Sequence, residues 1–107
     1  MRIVSGKEVA LGPGKADLLA LIAKTNSIRE AARRMGMSYM RAWTLVKTMN
    51  KCFRQPVVIA SRGGKAHGGA ALTETGQMAL ELYRALEVNS ERACAATWRK
   101  MRKLLKE

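Results

Sequence analysis

Between Ser27 and Lys51 the chain reads SIREAARRMGMSYMRAWTLVKTMNK, two amphipathic helical patterns divided by a single glycine. No other feature narrows the possible folds as far. Ser27 and Glu30 stand at the S-x-x-E spacing of a capping box, in which the serine oxygen takes one orphan N–H and the glutamate reaches back to another. Ile28, Ala31, Ala32 and Met35 then recur as a buried helical stripe. Gly36 ends that helix where a left-handed residue is needed and glycine is least strained. Ser38 caps the next helix. With only about three residues between them, the two helices must meet at a sharp corner, which is the helix-turn-helix arrangement.

In the second helix of the pair, Ala42, Leu45, Val46, Met49 and Phe53 follow the rhythm of a core stripe. At about 100° per residue, Met40, Thr44, Lys47 and Lys51 point the opposite way. Arg41 and Thr48 lie on one flank, and Tyr39, Trp43 and Asn50 on the other. A helix that only packs needs no such outer face. A polar, basic, aromatic-flanked surface suits a ligand. Trp43 leans inward and is read as core rather than contact.

Charge indicates which ligand. Twenty Lys and Arg oppose eight Asp and Glu, a net charge of +12 with a sequence pI near 10.6. So basic a small domain repels itself, and a polyanion relieves the repulsion. DNA or RNA is the partner this footprint favours, with solubility as the plain alternative. Anionic lipid fits less well, because Trp and Leu are not gathered on one face of a Lys-rich segment. At 48% hydrophobic the chain can build an ordinary core, and 107 residues make one domain the default. There is no run of roughly 20 apolar residues for a membrane helix, and no signal-peptide pattern opens the sequence, so a cytoplasmic protein without membrane contact is expected. Cys52 and Cys94 lack metal-ligand spacing and read as reduced thiols. His67 is the single histidine and sits among glycines. Neither a metal site, a cofactor nor catalytic machinery is expected.

Around this centre, "RIV" and "VAL" flank Gly6 as a short N-terminal hairpin. Pro13 opens a first helix that ends near Thr25. Beyond Pro56, "VVIA" and "AALT" read as strands around the glycine-rich tip SRGGKAHGG, a wing following the helix-turn-helix. Arg62, Lys65 and His67 decorate it, while Gly63 and Gly64 allow close approach to a phosphate chain. From Thr73 the chain is helical, with Met78, Leu82, Tyr83 and Leu86 at stripe spacing. A kink is expected near Asn89–Ser90 before Cys94, Ala95, Trp98, Met101 and Leu105 resume the pattern. A free amphipathic helix is marginal in water, so self-association through Leu82, Leu86, Trp98, Met101 and Leu105 is expected.

Several of these stretches resemble the DNA-binding domain of the ModE-type molybdenum regulators. They are Asn26-Ser27-Ile28, Ala31-Ala32-Arg33, Gly36-Met37-Ser38-Tyr39 and Ala42-Trp43, with LGPGKADLLALI upstream and MNKCF, the glycine-rich wing and LTETGQMAL downstream in the same order. The resemblance runs from about Val9 to Leu86. It implies an α+β, mainly helical fold: a winged helix-turn-helix, distantly similar to the LysR-type amino-terminal domain, with a short N-terminal β-hairpin, a β-wing and a long C-terminal helix. Residues 1–74 would form the DNA-binding part and 75–107 a dimerisation segment, together one compact unit. It also implies a transcriptional regulator that binds double-stranded operator DNA as a homodimer.

In that role Ser38, Tyr39, Met40, Arg41, Thr44 and Lys47 are the recognition-helix contacts, Arg41 for a guanine edge and Met40 for a thymine methyl. Ser27 and Arg29 would meet phosphate, and the wing residues Arg62, Gly63, Gly64, Lys65 and His67 the backbone or minor groove. A non-specific nucleoid-type or RNA-binding protein is the alternative. Two departures stand out. Asn26 replaces the usual glycine, a mild change because asparagine tolerates the left-handed conformation. The sequence ends at Glu107 without room for molybdate-binding domains, so molybdate binding is not expected.

Overall fold

The computed structural model describes residues 1–60 and 69–106. An antiparallel hairpin comes first, β1 (Ile3–Ser5) against β2 (Glu8–Leu11), with Ser5 opposite Glu8 and Gly6 in its turn at φ +61°. Three helices follow: α1 (Pro13–Thr25), α2 (Ile28–Arg34) and α3 (Tyr39–Cys52). A second antiparallel pair, β3 (Val58–Ala60) with β4 (Ala70–Leu72), precedes α4 (Glu74–Arg102). The fold is mainly helical with two small hairpins. The core lies where α1, α2 and α3 converge, around Leu18, Leu19, Ile22, Ala31, Val46 and Met49. Met35, Leu45 and Phe53, read from periodicity as core, are only partly buried at its rim.

Local chemistry sets each corner. Asn26 takes the left-handed conformation at φ +55°, and its N–H donates to the Ile22 carbonyl at 2.8 Å, closing α1. Gly36 does the same for α2 at φ +69°, and four residues turn the chain into α3. The Ser27 hydroxyl accepts the Glu30 N–H at 3.0 Å, and the Ser38 hydroxyl accepts the Arg41 N–H at 3.1 Å. The capping box is only half formed, however. Instead of reaching back, the Glu30 carboxylate accepts from Arg33 and from Arg34 Nε, while the Ser27 N–H donates to Thr25 Oγ1 at 3.3 Å. Two guanidinium groups on the next turn outcompete one backbone amide for a carboxylate.

One residue joins the hairpin to two helices. The buried Val57 donates its N–H to Asn50 Oδ1 of α3 at 2.8 Å and accepts the Thr73 N–H at 3.0 Å. Asn50 also donates through Nδ2 to the Val58 carbonyl at 3.0 Å. Thr73 caps α4 by accepting the Gly76 N–H and donates its own proton to the Pro56 carbonyl. A Cβ on Gly76 would lie 2.1 Å from the Val57 oxygen, so only glycine lets α4 sit this close.

That seat rotates α4 away from the expected stripe. Gly76, Leu80 and Tyr83 face inward, and the Tyr83 hydroxyl donates to the Met1 carbonyl at 2.7 Å. Met78, Leu82 and Leu86 are exposed, Leu82 at 59%. The kink at Asn89–Ser90 is absent, for α4 runs unbroken through both. Their helix-propensity cost, about 0.5 kcal/mol each, is too small to break a helix continuous on either side. Arg84 ties α4 to α1 through Asp17 at 2.9 Å and also meets Glu87, and both bonds raise its pKa.

Two outcomes test this account. Gly76→Ala should cost about 1–3 kcal/mol in denaturant unfolding, because backbone rather than a pliable side chain must move. Wild-type stability in that variant would contradict the close seat. Hydrogen bonds first from Arg33 and then from Arg34 hold the Glu30 carboxyl at about 2, against an ordinary 4.5. The pair's stabilisation is therefore complete above pH 4.5 and lost as pH falls through about 2. NMR titration of Glu30 should find that low midpoint, and Arg33→Ala should move it upward.

Candidate nucleic-acid interface

An exposed cationic surface gathers on α3. Its inward line is Ala42, Val46 and Met49, which are buried, so geometry turns Met40, Thr44, Lys47 and Lys51 outward. All four are exposed, Met40 at 66%. Arg41 is exposed beside them. Among the described residues Arg41, Lys47 and Lys51 have no carboxylate partner, whereas Arg33, Arg34 and Arg84 do. The first turn of α3 contains no acid. The positive charge on this face is therefore uncompensated, and a low-dielectric core behind it concentrates the field outward.

The neighbouring side chains are already oriented. The Arg29 guanidinium stacks over the half-buried Tyr39 ring, 4.7 Å from its centroid, which links α2 to the first turn of α3. Thr44 Oγ1 donates to the Met40 carbonyl at 2.9 Å, and Thr48 Oγ1 to the Thr44 carbonyl at 3.1 Å. With these protons committed to the helix backbone, each threonine oxygen is left to act as an acceptor. The oxygens of Ser27 and Ser38 are engaged with their helix caps, and Ser38 is the more exposed of the two.

Trp43 does not join the core. It is 40% exposed and lines, with Tyr39, Asn50 and Ile59, a cavity of about 130 Å³ between α3 and the β3–β4 hairpin. The reason lies in Asn50, one of the residues that periodicity placed on a mere flank. By binding the backbone at Val57 and Val58 it holds the hairpin against α3, and the cavity left between them is the one that Trp43 lines. The proposed wing contacts Arg62, Gly63, Gly64, Lys65 and His67 lie outside the described residues. Their flanking strands β3 and β4 are paired, Ile59 opposite Ala71.

On α4, Leu82, Leu86, Trp98 and Met101 are exposed, as is Leu105, which lies beyond the helix end at Arg102. Cys94 is exposed and Cys52 half-buried, both as free thiols. Among the described residues no three His, Cys, Asp or Glu side chains come together to hold a metal ion. Among the described residues no helix is long and apolar enough to cross a membrane.

No family model matches the chain. Individual proteins do. It is 47% identical over 77 residues to the molybdenum-pterin-binding protein MopB of Rhodobacter capsulatus, covering 72% of this chain and 28% of that protein. It is 37% identical over 84 residues to the molybdenum transport protein ModE of Azotobacter vinelandii, 78% of this chain and 31% of that one. The DNA-binding transcriptional dual regulator ModE of Escherichia coli K12 matches at 39% over 71 residues, 66% of this chain and 27% of its own. The chain thus spans less than a third of the length of these curated relatives. Two of the relatives are named for binding molybdenum-pterin, so the expectation that molybdate plays no part does not follow from the chain's length. Over most of its residues the chain carries a ModE-like, molybdenum-related domain.

Proposed function

We propose that this chain is a sequence-specific DNA-binding transcriptional regulator that engages a palindromic operator as a homodimer. The observation that carries the reading is the uncompensated cationic face of α3, set at a four-residue corner after α2. Similarity to proteins named as ModE transcriptional regulators supports it. In this reading α3 enters the major groove, roughly 12 Å wide, where every base pair shows a distinct edge. Arg41 pairs with a guanine; Tyr39, Met40, Thr44 and Lys47 add base or phosphate contacts. Ser27, Arg29 and Ser38 meet the backbone. The wing residues Arg62, Gly63, Gly64, Lys65 and His67 follow the adjacent backbone or minor groove.

Residues 1–74 are then the DNA-binding part, and 75–107 the dimerisation segment. The exposed apolar side chains of Leu82, Leu86, Trp98, Met101 and Leu105 support that division, since a second copy would remove them from water. A dimer sets two copies of α3 about 34 Å apart, one turn of the duplex. The net charge of +12 alone would also suit a sequence-independent nucleoid-type or RNA-binding protein.

Selection from a random duplex pool at about 150 mM salt separates the two. An inverted repeat with half-sites a turn apart is the expected product. On that repeat Arg41→Ala should lose about 1–3 kcal/mol and relax preference at one guanine. A pool that enriches nothing, with Arg41→Ala weakening all sequences alike, would leave only the non-specific reading. Leu86→Asp with Trp98→Asp should convert dimer to monomer in sedimentation; an unchanged mass would remove α4 from the interface.

A further inference from the structure

On the side of α3 away from Trp43, towards the N-terminal hairpin, lies a concavity of about 380 Å³. Arg2, Gly14, Lys15, Met37, Arg41 and Leu45 are among the residues lining it. Its three cations come from three separate elements. Arg2 precedes β1, Lys15 stands in the first turn of α1, and Arg41 in the first turn of α3. No aspartate or glutamate lines it, and neither first turn contains an acid. Among the described residues none of the three makes an ion pair.

Like charges converging on one hollow repel, and the repulsion opposes folding unless an anion shares the space. Lys15 is oriented in advance, because its ammonium donates to the Val9 carbonyl. Gly14 leaves its wall open, with nothing within 4 Å of where a Cβ would stand. Arg41 belongs both to this hollow and to the exposed side of α3, so an anion held here would lie directly beside whatever α3 docks on. That adjacency singles out an anion belonging to the same polymer over a free one.

We propose that the hollow formed by Arg2, Lys15 and Arg41 is a binding site for a backbone phosphate of duplex DNA, extending the contact surface from α3 to the N-terminal hairpin. The inference rests on the DNA-binding reading above. Arg2 and Lys15 hold the phosphate by charge-assisted hydrogen bonds, and Arg41 marks the boundary between phosphate and base edges. A contact of this kind fixes register on the duplex without reading its sequence.

The test measures binding of the full chain to a mixed-sequence duplex of about three helical turns across a salt series. Arg2→Gln and Lys15→Gln should each weaken binding by about three- to tenfold, and each should reduce the salt slope by about 1. Lys103→Gln, which removes the same charge beyond the end of α4, should leave the slope unchanged. Lys15 also bonds to Val9, so Arg2→Gln is the deciding variant, with folding checked by circular dichroism. If Arg2→Gln keeps wild-type affinity and slope while Lys47→Gln weakens binding, the phosphate site is refuted and the DNA-binding reading stands. If the wild-type chain binds neither this duplex nor the selected repeat at physiological salt, both fall together.

Discussion

The peptide of Val57 is the point on which the rest of this fold depends. A buried N–H and C=O must find partners, and this residue finds them outside regular secondary structure: Asn50 on α3 for the first, the backbone of Thr73 at the head of α4 for the second. Gly76 then brings the first turn of α4 down onto the same carbonyl. One residue thereby fixes the hairpin, the basic helix and the long helix relative to one another. Because Asn50 supplies both an acceptor and a donor, the hairpin cannot slide along α3 without losing bonds at Val57 and Val58 together.

Electrostatics is segregated over this frame. Asp17, Glu30 and Glu87 are each engaged by arginine on the α1, α2 and α4 surfaces. The opening turns of α1 and α3 carry no acid, and the cations there are unpartnered among the described residues. Charge of one sign thus gathers on α3 and the hollow beside it, where it raises the local concentration of any polyanion. The shape of the molecule and its charge pattern converge on one side of α3 after another: aromatic toward the hairpin, basic at the crest, basic and concave toward the N-terminus.

Much of this was legible in the sequence because the deciding signals are local. Gly36, Ser27 and Ser38 act within a turn of themselves, and the corner between α2 and α3 forms where they stand. Asn26 likewise adopts the left-handed conformation that its place demanded. What escaped is long-range. The facing of α4 is set by the approach of Gly76 to Val57, which periodicity within α4 cannot reveal; hence Leu80 proved buried and Met78 exposed. Asn50 looked like a polar flank because its partners are backbone atoms beyond Pro56. Glu30 sat at the right spacing for a capping box, yet Arg33 and Arg34 followed close enough to claim it. Arg2 carried no motif at all, and its significance appears only when α1 and α3 are folded beside it.

The length of α4 has a mechanical meaning. Its 29 residues make a rod about 43 Å long, seated near one end by Gly76, Leu80 and Tyr83, with the far half largely exposed. A tilt of about 10° about that seat would sweep the distal end through roughly 7 Å while the atoms at Gly76 shift by less than about 1 Å. The rod is therefore a lever with its fulcrum against the Val57 carbonyl. A load applied near Trp98 would act on that seat with the full arm of the rod.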